Sequence, residues 1–331
     1  MGRAREARCA SGLPLALLLF EICMCAVPAA MSSEADSASW APRPHRLHLE
    51  PTPNPAEVLV WWMSPISSDH SVVHYGFSPD ALNLTVANNG RERRYETVPA
   101  SSERSSSGRD DDDDAYAGYY NSEYIHTVLL TGLPTQPGIT VFYQVDNWKG
   151  YQSDVMSLVT RGGNADELVR IAVFGDQDTT DDTRQVRDRL LSDADKQPFS
   201  FVWLLGDISY ADGDQRVWDR HADVVEPLYS RVPVMALVGN HEKESGRYEE
   251  YDKRWRHPAP GEPRYWWSRD EGAVHLVSLS SEHSMQPGSE QHTWLEADLA
   301  QAADPGRRSA VPWIVGAIHT PDYSSGRHGE E

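Results

Sequence analysis

Residues 201–210 read FVWLLGDISY. The first five form an unbroken β-branched and aromatic run of strand length, the pattern of a strand buried on both faces of a parallel sheet. Gly206-Asp207 then ends the run with a residue that lets backbones approach closely and one that can ligate a cation. Three further runs have the same form: 169–174 leads into Phe174-Gly175-Asp176, 234–238 into Val238-Gly239-Asn240-His241-Glu242, and 311–318 into Ala317-Ile318-His319. In open α/β sheets ligands bind beyond the carboxyl ends of the strands, so loops remote in sequence converge there. Singly, a Gly-Asp after a strand is an ordinary turn and a strand-end histidine an ordinary core or surface residue. Four successive strand ends offering Asp, Asp, Asn and His point together to a metal site.

Outward from these strands, Val186, Leu190, Leu191 and Ala194 recur at helical spacing. A second helix fits residues 290–303, with Trp294, Leu295, Leu299 and Ala302 on one face and Asp304-Pro305-Gly306 as its stop. Upstream the texture changes. Short alternating or β-rich runs at 58–63, 72–77, 124–130 and 141–145, separated by Pro, Gly, Asn and Ser clusters, argue an all-β sandwich. Arg161-Gly162-Gly163-Asn164 reads as the linker between the two architectures. Residues 101–114 are Ser-rich and end in five aspartates, Asp110 to Asp114, whose mutual repulsion is expected to keep them solvated rather than bound to calcium. The expected fold is an all-β sandwich followed by an α/β domain, with neither internal repeats nor a membrane span past the first segment.

The 331 residues include 11 Trp and 14 Tyr and are 39% apolar, a globular composition. Against 30 Lys plus Arg stand 50 Asp plus Glu, and the net charge of −20 excludes nucleic acid or anionic membranes as partners held by bulk charge. Residues 1–29 read as a secretory signal peptide: Arg3, Arg5 and Arg8, an apolar stretch interrupted by Glu21, then Val27 and Ala29 placed for cleavage after Ala29. Cys9, Cys23 and Cys25 all lie within it, so a cleaved chain has no disulfide, no disulfide-linked dimer and no stable membrane association. A secreted destination gives meaning to the sequon Asn83-Leu84-Thr85.

Gly175-Asp176, Gly206-Asp207-Ile208-Ser209-Tyr210, Gly239-Asn240-His241-Glu242 and His319, in that order, resemble the metallophosphoesterases, and Tyr210 narrows the resemblance to the purple acid phosphatases. Tyr124-Ile125-His126 to Leu133 and Val141-Phe142-Tyr143-Gln144-Val145 resemble the fibronectin type III-like domain of the plant-type branch. The resemblance implies such a domain over residues 42–160 and a calcineurin-like metallophosphoesterase domain over 168–331. It also implies a binuclear centre in which Asp176 and Tyr210 bind Fe(III), Asp207 bridges, and Asn240 and His319 bind a divalent zinc, manganese or iron. Carboxylates and a phenolate suit a hard trivalent cation, and amide and imidazole a borderline divalent one. Phenolate-to-ferric charge transfer gives the family its colour. The two cations bring more charge than the ligands return, leaving the pocket positive for small phosphomonoester substrates. The implied reaction is hydrolysis by metal-bound hydroxide in a secreted acid phosphatase. His241 and His328 match the family's imidazoles that contact phosphate or protonate the leaving group.

Two departures stand out. Asp178 occupies a position that the family gives to glycine, where its side chain is expected to crowd the metal or bond a ligand. A Gly-His-x-His motif that completes both metal spheres in the family is expected beyond His319, whereas the sequence stops at Glu331, so the second domain is expected to be incomplete. The alternatives are another binuclear phosphohydrolase, a diesterase or nucleotidase, and a secreted non-catalytic binding protein on a relic phosphatase fold.

Overall fold

The computed structural model describes residues 42–68, 70–88, 92–97, 119–147, 150–162, 168–244, 247–255 and 265–321. The expected signal peptide, the aspartate run and His328 lie outside them. The β-rich region supplies β1 (His45–Pro51), β2 (Glu57–Ser64), β3 (Ser71–Gly76), β4 (Leu84–Asn88), β5 (Glu96–Thr97), β6 (Tyr120–Asn121), β7 (Tyr124–Thr131), β8 (Thr140–Asp146) and β9 (Met156–Val159). They form sheets of order β1-β2-β7 and β4-β3-β8-β9, antiparallel throughout, plus the short β5-β6 pair. Side chains alternate across a strand. Val58, Val60 and Trp62 of β2 therefore join Leu49, Val73 and Tyr143 in the core between the sheets, while Trp61 and Met63 join Tyr95, Tyr120 and Ile125 in a second cluster behind.

That second face meets the α/β region, so β2 is buried on both sides. Buried Arg254 donates to Tyr95 Oη at 2.8 Å, Tyr120 Oη at 2.9 Å and Asp219 Oδ1 at 2.8 Å, and Tyr143 Oη donates to the Ser230 carbonyl at 2.6 Å. Arg161, expected in a linker, instead pairs with Glu271 at 3.0 Å and donates to the Thr52 carbonyl. Its guanidinium braces the junction, because a buried cation has to find acceptors on both sides.

Beyond Arg161 come β10 (Ile171–Phe174), α1 (Asp181–Lys196), β11 (Phe201–Leu205), α2 (Gln215–Tyr229) and β12 (Val234–Leu237), and the strands form a parallel sheet of order β10-β11-β12. One face of β11, Val202 and Leu204, packs with Trp218, Val225 and Leu228 of α2. The other, Phe201 and Trp203, packs with Trp267 and Leu276 of a second sheet. This sheet follows α3 (Glu249–Arg254) and consists of β13 (Trp267–Glu271), β14 (Val274–Ser278) and, after α4 (Glu290–Ala302) and α5 (Pro305–Arg308), β15 (Trp313–Ala317). β13 is antiparallel and β15 parallel to β14.

Burial on both faces, expected of all four strands, holds for β11 and β12 but not for the others. Val173 of β10 is 52% exposed and Trp313 of β15 66% exposed. Each is an edge strand of its sheet. Convergence also needs a correction: β15 belongs to the second sheet, so the four strand ends come from two sheets packed together rather than one.

Candidate metal centre

The carboxyl ends of β10, β11 and β12 lie side by side because Phe174 pairs with Leu204 and Leu205 with Leu237. The end of β15 joins them through His319, whose Nδ1 donates to the Leu205 carbonyl at 2.8 Å and so leaves Nε2 facing the other loops. Glycines make this approach possible. A Cβ on Gly239 would stand 2.2 Å from Asp207 Oδ1 and 2.9 Å from His319 Nε2, and one on Gly206, at φ +80°, would stand 2.7 Å from the Gly239 nitrogen. No other residue fits either place.

Past the strands the backbone turns sharply. Asp176, Asp207, Tyr210 and Asp212 all have φ between 48° and 55°, in the left-handed region, where aspartate is tolerated and tyrosine rare. These turns bring five expected ligands together. One ligand atom each from Asp176, Asp207 and His319 lies within 4.8 Å of the other two. Tyr210 Oη donates to Asp176 Oδ1 at 2.9 Å, and His319 Nε2 is 3.3 Å from Asn240 Oδ1 and 3.4 Å from Asp207 Oδ2. The donors mix carboxylate, phenol, amide and imidazole around an open mouth at Asp176 and Asn240. Such a set fits a pair of cations of unequal hardness.

Their protonation follows from the same contacts. Burial raises the Asp207 carboxyl, but the His319 bond, the His241 backbone N–H and both imidazole charges outweigh it and hold it below its ordinary value. Burial lowers the His319 imidazole, yet the Asp207 bond, the Leu205 carbonyl and the charges of Asp207 and Asp176 bring it up to about 9. Burial, the bond to Asp176 and the Asp207 charge push the Tyr210 phenol up, so without a cation it keeps its proton.

Two supports were not assigned a role from sequence. Buried Glu242 accepts 2.8 Å bonds from the backbone nitrogens of Asp207, Ile208 and Gly239, tying the loops after β11 and β12 into one unit. Burial raises its carboxyl to about 7 against the bonds from Ile208 and Gly239. The signal was its place beside Asn240 and His241. Asp212 Oδ1 accepts from His241 Nδ1 at 2.6 Å, orienting the ring, and His241 Nε2 stands 3.9 Å from Asp207 Oδ2. Asp178 corrects an expectation. Its Oδ1 accepts from the Thr180 nitrogen at 2.7 Å, Thr180 Oγ1 at 2.6 Å and Thr183 Oγ1 at 2.8 Å, so it steadies the entry to α1 and bonds no expected ligand. Asn83 is exposed, with its side chain open to solvent.

Comparison with known proteins agrees with this geometry. A family model described as "Purple acid Phosphatase, N-terminal domain" matches residues 44–160, and one described as "Calcineurin-like phosphoesterase" matches residues 169–331. Purple acid phosphatase 21 of Arabidopsis thaliana is 29% identical over 91% of this chain and 65% of its own length. Acid phosphatase type 7 of Homo sapiens is 33% identical over 61% of this chain and 46% of its own. Probable purple acid phosphatase 20 of Arabidopsis thaliana is 30% identical over 70% of this chain and 53% of its own. The chain thus spans about half to two thirds of these relatives. The structure of a purple acid phosphatase from yellow lupin (Lupinus luteus) seeds shares the fold, with a TM-score of 0.66 and 20% identity over 84% of this chain and 51% of that one. Two adjoining family matches, similar relatives and a shared fold agree: the chain belongs to the plant-type purple acid phosphatases.

Proposed function

We propose that this protein is a secreted acid phosphatase that hydrolyses small phosphate monoesters at a binuclear metal centre. Asp176, Asp207 and Tyr210 would hold Fe(III), and Asp207, Asn240 and His319 would hold the divalent zinc, manganese or iron. Bound there, the pair supplies positive charge for the phosphoryl oxygens and acidifies water at a pH where free water stays neutral. The chain's own groups do the rest. The Leu205 carbonyl holds His319 by Nδ1 and leaves Nε2 as its donor atom. Asp212 holds His241 by Nδ1, which leaves Nε2 to face a phosphate oxygen or the leaving group. His328 is the second such imidazole by family resemblance.

The gathering of Asp176, Asp207 and His319 within 4.8 Å carries this reading. A signal peptide over residues 1–29 and a glycan on exposed Asn83 accompany it. No helix among the described residues is long and apolar enough to cross a membrane. The test is phosphate release from an aryl monoester at acid pH by the iron- and zinc-loaded protein. Turnover that falls about a hundred- to a thousandfold in Asp207→Asn is expected, on the scale of losing a principal electrostatic group. Preference for a diester, or equal turnover in the variant, contradicts it.

A further inference from the structure

We propose that His275 is a proton-dependent clasp that holds the α4–α5 crossover against the second sheet. The inference stands apart from the phosphatase reading, since His275 neither touches nor neighbours an expected ligand.

His275 lies on β14 with only 2% of its side chain exposed. Its Nδ1 is 2.7 Å from Asp270 Oδ1 on β13, and its Nε2 is 2.9 Å from Asp298 Oδ2 on α4. An ionised carboxylate only accepts, so bonding both of them takes hydrogen on both ring nitrogens, which only the imidazolium has; the neutral ring keeps one carboxylate and accepts from Arg307 at Nδ1 instead. The other oxygen of Asp298 accepts from Ser268 Oγ at 2.5 Å, so that carboxylate has no spare freedom to turn away. Arg307 of α5 donates to Asp270 at 2.8 Å and sits 3.2 Å from His275 Nδ1, where its charge opposes protonation. On β15 the residue in register with His275 is Ile314, which carries no charge. Two anions therefore face the ring against one cation. In accord with this balance, the Asp298 bond, against burial and aided by Asp270, raises the imidazole above its ordinary 6.5.

The rest of α4 is thinly anchored. Only Gln291 and Ala302 are buried, and Leu299 is 37% exposed. Polar contacts therefore carry much of the attachment of α4 and α5, the two helices in the connection between the parallel neighbours β14 and β15. His319 follows β15 by two residues. A folded-state value above the unfolded one means that the clasp is complete below about 6.5 and is lost as pH rises through the raised value. Neutral His275 then turns a lone pair toward one carboxylate, and one charge-assisted bond disappears.

The test measures the His275 ring titration by NMR, and hydrogen-exchange protection of α4 and α5 at about pH 5.5 and about pH 8.5, corrected for the intrinsic exchange rate. The expected result is a ring titration above 6.5 and protection that falls about tenfold at the higher pH, the scale of one charge-assisted bond. In His275→Gln the protection should be low and independent of pH, while β2 and β7 stay as protected as before. Titration of the native ring at or below 6.5, equal protection of the native protein at both pH values, or an unchanged pH response in His275→Gln overturns the proposal.

Discussion

Along β2, Val58, Val60 and Trp62 face one core and Trp61 and Met63 another, and no residue of the strand has a positive φ. In the loops after β10 and β11, Asp176, Asp207, Tyr210 and Asp212 all do, and their side chains turn toward one another rather than into a core. In the sandwich, local preference and burial agree. In the loops each left-handed residue costs about 1–3 kcal/mol, and the surrounding structure has to enforce it. Close-packed glycines and the Glu242 carboxylate do the enforcing. Core residues of this chain should therefore govern stability, and loop supports should govern the site, with little crossing between the two effects.

Gly239→Ala should break the contrast most sharply. Its Cβ would overlap Asp207 Oδ1, so metal affinity should fall by about a hundredfold, the upper range for disturbed ligand support. Circular dichroism should be unchanged, and equilibrium metal titration gives the affinity. Trp62→Ala is the reverse case. Removing a fully buried indole should cost about 3–5 kcal/mol in urea denaturation and leave the affinity of the folded protein unchanged. Glu242→Gln lies between them. An amide donor set against backbone N–H groups should cost about 1–3 kcal/mol and also weaken metal binding, because the loops carrying Asp207 and Asn240 lose their shared acceptor.

Proton release sharpens the picture further. His319, brought up to about 9 against burial by the Asp207 bond and the Leu205 carbonyl, has to lose its Nε2 proton to ligate, so metal affinity should climb as pH rises toward that value, and titration near neutral pH should release protons. Affinity independent of pH between about 6 and 9 would contradict this role for His319. The smallest effect is expected from Asp178→Gly. It restores the family's residue and removes the bonds to Thr180 and Thr183, so stability should fall by about 1 kcal/mol with no change in metal affinity.

Much of this was legible in the sequence. The apolar runs marked β2, β3, β7, β8, β11 and β12, because uninterrupted or alternating burial leaves a direct trace in residue type. Tyr210 and the strand-end Asp, Asn and His residues marked the site. β13 went unread because its buried side chains include Arg269 and Glu271, an ion pair at 2.6 Å that reads as surface. α2 was missed although Val217, Trp218, Val224, Val225 and Leu228 recur at helical spacing. Buried, uncharged His221, held to Gln177 at 3.1 Å, hides among the charged residues of that helix. Asp178 was misjudged because side-chain direction decides its role. The threonines two and five residues on draw it to the helix entry.

Iron content and visible absorbance of the purified protein, beside those of Tyr210→Phe, test the central claim most directly. If the strand-end loops hold Fe(III) through Asp176 and Tyr210, the native protein contains iron and absorbs in the visible, and the variant keeps its fold but loses the band. A native protein that binds no iron when supplied with it, or a band that survives in Tyr210→Phe, contradicts the account.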